Sequence, residues 1–134
     1  MILTLSLLSM TGTIPQETTE LHIKALDLFQ PAVVTMYAPL DPDAVEGMCY
    51  SGNPNITATG TQVREGVAAA CPERLSYGTH IYVWGRGKFV VEDTGGALRN
   101  DRENIRIDLF TVSRSGAFRF GRQELPFMVL GKED

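Results

Sequence analysis

Downstream of Pro31 the chain repeatedly alternates apolar and polar residues, and glycine, proline and asparagine break the pattern at short intervals. A period of two is the signature of half-buried β-strands. "AVVTMYA" (Ala32 to Ala38) reads as one strand. Beyond Ile56 come "TATGTQV", "GVAAA", "HIYVW", "KFVVE", "IRIDLF" and "FMVLG". Short strands separated by turn signals predict a small closed barrel. "GRG" (Gly85 to Gly87) predicts a tight hairpin, because glycine accepts the positive φ such turns demand. "PLDPDAVEGMCYSGNPN", after the first strand, predicts a long loop, and loops of that length in a compact domain carry function or mobility.

Helical spacing is rare in this chain. "ETTELHIKALDLF" places Leu21, Ala25 and Leu28 on one face after Thr18 or Thr19 as cap, and Pro31 closes any helix there. "SRSGAFRFG" predicts a short helix with Ser113 or Ser115 as N-cap and Gly121 as stop. The opening "MILTLSLLSMTGT" has the apolar run of a secretory signal, without a preceding Lys or Arg or an A-x-A-like cleavage site. It is read either as a signal or its remnant, or as a strand or arm, and it is too short to span a bilayer as a helix. The expected organisation is an N-terminal segment over 1–30 and a barrel domain over 31–134.

Composition narrows the function. With 134 residues the chain fits one domain, and a net charge of -4 argues against nucleic acid as partner. The charge is uneven: Gly96 to Arg122 holds six arginines against three acids, a local excess of +3. That predicts either a solvated face or a modest basic rim. Two cysteines and two histidines, placed singly, make no metal-ligand spacing, so no metal or other cofactor is expected. Cys49 and Cys71 are compatible with one disulfide or with two free thiols.

The candidate chemistry lies in "KFVVEDTGGALRNDRENIRIDLF" (Lys88 to Phe110), where two acids sit in apolar, strand-like settings. Alternation puts Val91 and Asp93 on one face with Glu92 opposite, and puts Arg106 and Asp108 on one face with Ile107 and Leu109 facing the core. The two acids are either strand-closing residues or a catalytic pair. The Arg106 guanidinium pulls the Asp108 carboxyl pKa down, whereas burial or a nearby Asp93 pushes it up. Apolar-apolar-x-D-T-G also resembles the aspartic-protease signature, a reading that requires a dimer.

Taken in order, T-A-T-G-T, a proline and G-T before a strand, E-D-T-G-G-A and R-I-D-L resemble the 3D domain, named for three aspartates, of bacterial cell-wall proteins. That domain is related to the barrel of the membrane-bound lytic transglycosylase A family and to stationary-phase survival and resuscitation-factor proteins. The resemblance covers Tyr37 to about Leu130. It implies a mainly β, six-stranded double-psi barrel with one or two short helices, monomeric, located in the cell envelope or secreted, that binds peptidoglycan glycan strands in a groove. It implies lytic transglycosylase activity with Asp108 as the catalytic acid, Asp93 as its partner, and Thr59, Gly60 and Thr61 in the groove wall. The alternative is a non-catalytic glycan-binding or structural barrel module of a cell envelope or phage particle. Gly95, Gly96 and Arg106 join them as candidate substrate contacts, with Tyr37, Tyr50, Tyr77 and Trp84 as candidate sugar platforms. Two departures stand out. Cys71 occupies the position of the family's first aspartate, and the loop between the other two acids is longer, which reshapes one wall of the groove.

Overall fold

A computed structural model describes residues 28–132. The leader-like opening and nearly all of the helix expected before Pro31 lie outside the described residues. Six strands form a closed barrel: β1 (Phe29–Tyr37), β2 (Val67–Ala70), β3 (Thr79–Val83), β4 (Gly87–Asp93), β5 (Arg106–Phe110) and β6 (Gln123–Lys132). Around the ring the order is β1-β5-β2-β4-β3-β6. Exchanging β1 with β4, β2 with β5 and β3 with β6 maps this order onto itself, the double-psi arrangement. The pairs β1–β5 and β2–β4 run parallel, while β2–β5, β3–β4 and β3–β6 run antiparallel.

Alternation fills the barrel. Val34, Ile81, Val83, Ile107, Leu109 and Phe127 are fully buried in the inward core, and removing such apolar surface from water is the main stabilising term. The short β2, "VAAA", is buried at every position. Its Ala68 and Ala70 join the inward core, whereas Val67 packs in a separate cluster with Val63 and Phe110, against which Tyr37 rests. Burial on both faces explains the run of small residues.

Two short helices complete the domain. α1 (Gly96–Asn100) follows β4, and α2 (Arg114–Phe120) follows β5. For α2 the expected cap is Ser113 rather than Ser115: its hydroxyl accepts from the Gly116 N–H at 3.0 Å, and Gly121 ends the helix at φ 69°. The hairpin at Gly85–Gly87 is as expected, both glycines holding positive φ. Two expectations change. The first strand begins at Phe29, ahead of the expected Ala32, so Pro31 lies inside β1. "TATGTQV" is not a strand but a closed turn, with an isolated bridge between Ile56 and Gln62 and the Thr57 N–H donating to the Thr61 carbonyl. Gly60 sits at φ 89°, a left-handed conformation that ends strand pairing there.

Candidate active site

The ring order carries the two acids to opposite sides of one small residue. Ala69 of β2 is the register partner of Asp108 on β5 and of Asp93 on β4. With neighbouring strands ~4.8 Å apart, the two aspartate backbones stand ~10 Å apart across that alanine. The alanine keeps the floor between them low.

A bulge aims Asp93. Strict alternation would send Val91 and Asp93 to the same face, yet Val91 is in the core while Asp93 lines a groove with Ala69. The register between β2 and β4 shifts after Ala68, so that Val91 faces Ala68 and Asp93 faces Ala69. The extra residue is Glu92, which points to the threonine turn: Arg64 donates to it at 2.7 Å and Thr61 at 2.8 Å. Hydrogen bonding from Arg64 first, then from Thr61, lowers the Glu92 carboxyl pKa against the opposing effect of burial. Bulges of this kind re-aim side chains beside active sites.

Asp93 accepts on both carboxylate oxygens. Tyr37 Oη donates to Oδ2 at 3.0 Å, while the backbone N–H groups of Ala58 and Thr94 donate to Oδ1 at 3.0 and 2.9 Å. The Tyr37 ring is fixed edge-on to Phe110, with centroids 6.1 Å apart, so its hydroxyl is positioned by packing. Burial, and then the negative charge of Asp93, push the Tyr37 hydroxyl far above its usual range. Asp108 has a different setting. Its Oδ1 accepts from the Thr35 hydroxyl at 3.0 Å, and burial pushes its carboxyl up to about 6. The Thr35 bond and the Arg106 charge act against that rise, and Asp93 adds to it. Burial wins the contest that the sequence left open.

Both acids line a groove of about 690 Å³. One wall is the long loop after β1, including Met48, Tyr50 and Ile56, and the other is Thr94 to Leu98 at the start of α1. The loop is rooted by Asp41, whose carboxylate accepts from the Arg114 N–H at 2.7 Å, while the Arg114 side chain donates to the Asp43 carbonyl at 2.6 Å.

Of the expected contacts, Gly95, Gly96 and Arg106 line the groove. Thr59, Gly60 and Thr61 do not. Thr57 and Ala58 take the wall, because the closed turn directs the Thr61 hydroxyl toward Glu92 and places the Ala58 N–H on Asp93. Of the aromatic candidates Tyr37 and Tyr50 line the groove, Tyr77 packs against the core and Trp84 lies outside the lining. Cys49 lines the groove and Cys71 borders a separate small cavity beside Arg106, and both are free thiols rather than a disulfide. Sequence reasoning missed Thr35 and the Ala58 N–H, whose roles depend on β1 and the threonine turn reaching the acids. No group of metal-ligating side chains occurs among the described residues, and none of their helices is long and apolar enough to cross a membrane.

No protein-family model matches the chain. Two curated proteins of Bacillus subtilis (strain 168) are similar to part of it. The cell wall-binding protein YocH is 32% identical over 83 residues, which is 59% of this chain and 28% of that protein. The candidate cell wall shaping protein YabE is 30% identical over 84 residues, 60% of this chain and 20% of that protein. The alignments thus span less than a third of either relative, and what the chain shares with both is a segment of proteins named for the bacterial cell wall.

Proposed function

We propose that this barrel binds peptidoglycan glycan strands and cleaves them as a lytic transglycosylase, acting in the cell envelope or outside the cell. The observation that carries the reading is Asp108, a carboxyl with its pKa raised to about 6 that lines, with Asp93, a groove of about 690 Å³. An acid of that strength is protonated at mildly acidic pH and can give its proton to a leaving oxygen. The relatives named for binding and shaping the cell wall support the choice of polymer.

In this mechanism the Asp108 proton passes to the glycosidic oxygen between N-acetylmuramic acid and N-acetylglucosamine as the C1–O bond breaks. Positive charge grows on the muramoyl ring, in an oxocarbenium-like state. The Asp108 carboxylate then takes the proton of the muramoyl 6-hydroxyl, whose oxygen closes on C1 to give the 1,6-anhydro product. Acid and base act in sequence, so one carboxyl serves both steps and water is not consumed. Asp93, accepting from Tyr37 and two backbone N–H groups, supplies fixed negative potential beside the developing cation.

The test is to incubate the protein with purified sacculi and analyse the soluble fragments by mass spectrometry. Anhydromuramoyl ends are expected, and they disappear in Asp108→Asn. A second reading, a glycan-binding barrel without catalysis, is favoured by Cys71 at the position of the family's first aspartate. Sacculi that retain the protein but stay intact would decide for it.

A further inference from the structure

We infer that Arg106 is a carboxylate-recognition site within the groove, giving it a preference for muramoyl glycans over neutral polymers of N-acetylglucosamine. The inference rests on the glycan reading and names the group on the substrate that this site would select. Arg106 is two residues before Asp108 on β5, both line the groove, and alternation sets them ~7 Å apart along one face. A ligand whose scissile bond meets Asp108 therefore presents a group about one sugar ring away to Arg106. In muramic acid that position carries the lactyl ether, and its carboxyl separates this sugar from glucosamine.

The guanidinium is poorly satisfied by the protein. Its side chain is only 15% exposed, and Nε is buried with no hydrogen-bond partner. Its ion contact is a long one, Nη1 to Asp101 Oδ2 at 3.7 Å. Asp101 is already engaged by its own turn, accepting from the Asn104 and Glu103 N–H groups at 2.9 and 3.1 Å. A guanidinium this little exposed, with its Nε unpaired and one long ion contact, has donors to spare, and a carboxylate matches their fork geometry. Cys71 explains why the protein does not supply that partner. It borders the same small cavity as Arg106, together with Arg74, Leu75 and Ile105, and a thiol there offers no anionic oxygens. A carboxylate at position 71 would stand beside Arg106 and compete with the ligand.

A muramoyl carboxylate is free only when the stem peptide has been removed, so an amidase-type hydrolysis would supply this substrate. Stem peptides bring carboxylates of their own, and the probes must separate the two sources. Binding is measured by calorimetry on the Asp108→Asn protein, which cannot turn the probes over. The probes are glycan oligomers stripped of peptide, the same oligomers with their stem peptides, and neutral N-acetylglucosamine oligomers of equal length. A carboxylate bound by Arg106 gives the stripped glycan about tenfold tighter binding than the neutral oligomer. Arg106→Gln removes that ratio, Arg106→Lys keeps part of it, and Cys71→Asp suppresses it while circular dichroism shows an intact barrel. Tighter binding of the peptide-bearing oligomer, lost in Arg106→Gln, assigns the carboxylate to the stem peptide. Equal binding of all three probes, or a ratio unchanged in Arg106→Gln, overturns the assignment of Arg106 and leaves the glycan reading standing. No binding of any probe overturns both.

Discussion

At the scale of single residues, two carboxyls of the same type are driven into different roles by what surrounds them. Asp108 is pushed up to about 6 by burial, with Asp93 adding to the rise and Arg106 and the Thr35 hydroxyl opposing it. If its proton begins the reaction, turnover at subsaturating glycan declines as pH rises through about 6, because the acid form is being lost. A rate that instead climbs from pH 5 to pH 8 would deny Asp108 the acid role. Asp93 is held by Tyr37, and replacing that tyrosine removes one hydrogen bond to a carboxylate without changing the ring that packs on Phe110. Tyr37→Phe is expected to cost ~1–2 kcal/mol, seen as a fall of about tenfold in turnover. Wild-type kcat in this variant would separate Asp93 from the chemistry. Both aspartates were legible in the sequence from their apolar flanks and the glycine pair. Their division of labour was expected from the family resemblance alone, and the contacts behind it were hidden because Thr35 and Tyr37 reach the acids from β1.

Elements were legible where local pattern and tertiary pairing agree. Strands form at "AVVTMYA", "HIYVW", "KFVVE" and "IRIDLF", burial alternating along "HIYV" and "RIDL", and α2 starts at its serine and ends at its glycine. "TATGTQV" has threonines and a valine suited to a strand, yet Gly60 at φ 89° and the Thr57–Thr61 closure turn it back on itself. The bulge at Glu92 was hidden for a related reason: it exists only relative to β2, and nothing local to β4 announces it. α1 was missed because a five-residue helix that begins with the second of two glycines gives no periodicity to read. That helix forms one wall of the groove, and a Cβ added at its Gly96 would meet nothing within 4 Å. Gly96→Ala should therefore raise stability by ~0.4–1 kcal/mol by restricting the unfolded chain and leave glycan binding unchanged. Gly96→Phe should fold as well and weaken binding at least tenfold by filling the groove. Thermal unfolding and calorimetry on the two variants measure these effects, and a Phe variant that binds normally would move the ligand away from α1.

For the whole molecule, the barrel keeps Asp108 in a setting that costs stability once the carboxyl is charged. A carboxyl with an ordinary value of 3.8 that rises to about 6 on folding binds its proton more tightly in the barrel than in the open chain. Between those two values the folded state holds more protons, so stability falls as pH rises through that window. The favourable contribution is complete below 3.8 and gone above about 6, where the folded barrel must hold a buried charge. At 1.36 kcal/mol per unit, the cost above pH 6 is on the order of 3 kcal/mol, a large part of the stability of a domain this size. An amide at position 108 carries no charge at any pH and still accepts from the Thr35 hydroxyl. Asp108→Asn should thus unfold several degrees above the wild type at pH 7.5 and close to it at pH 4. A gain of equal size at both pH values would trace the effect to packing rather than ionisation, and no gain at pH 7.5 would mean that the groove already solvates the charged carboxylate. The same substitution is the one expected to abolish anhydromuramoyl products, so the variant that loses the reaction is the one that gains stability above pH 6. That pairing is what a carboxyl kept in an unfavourable environment for catalysis requires, whereas an acid that merely closes a strand would lose stability on replacement.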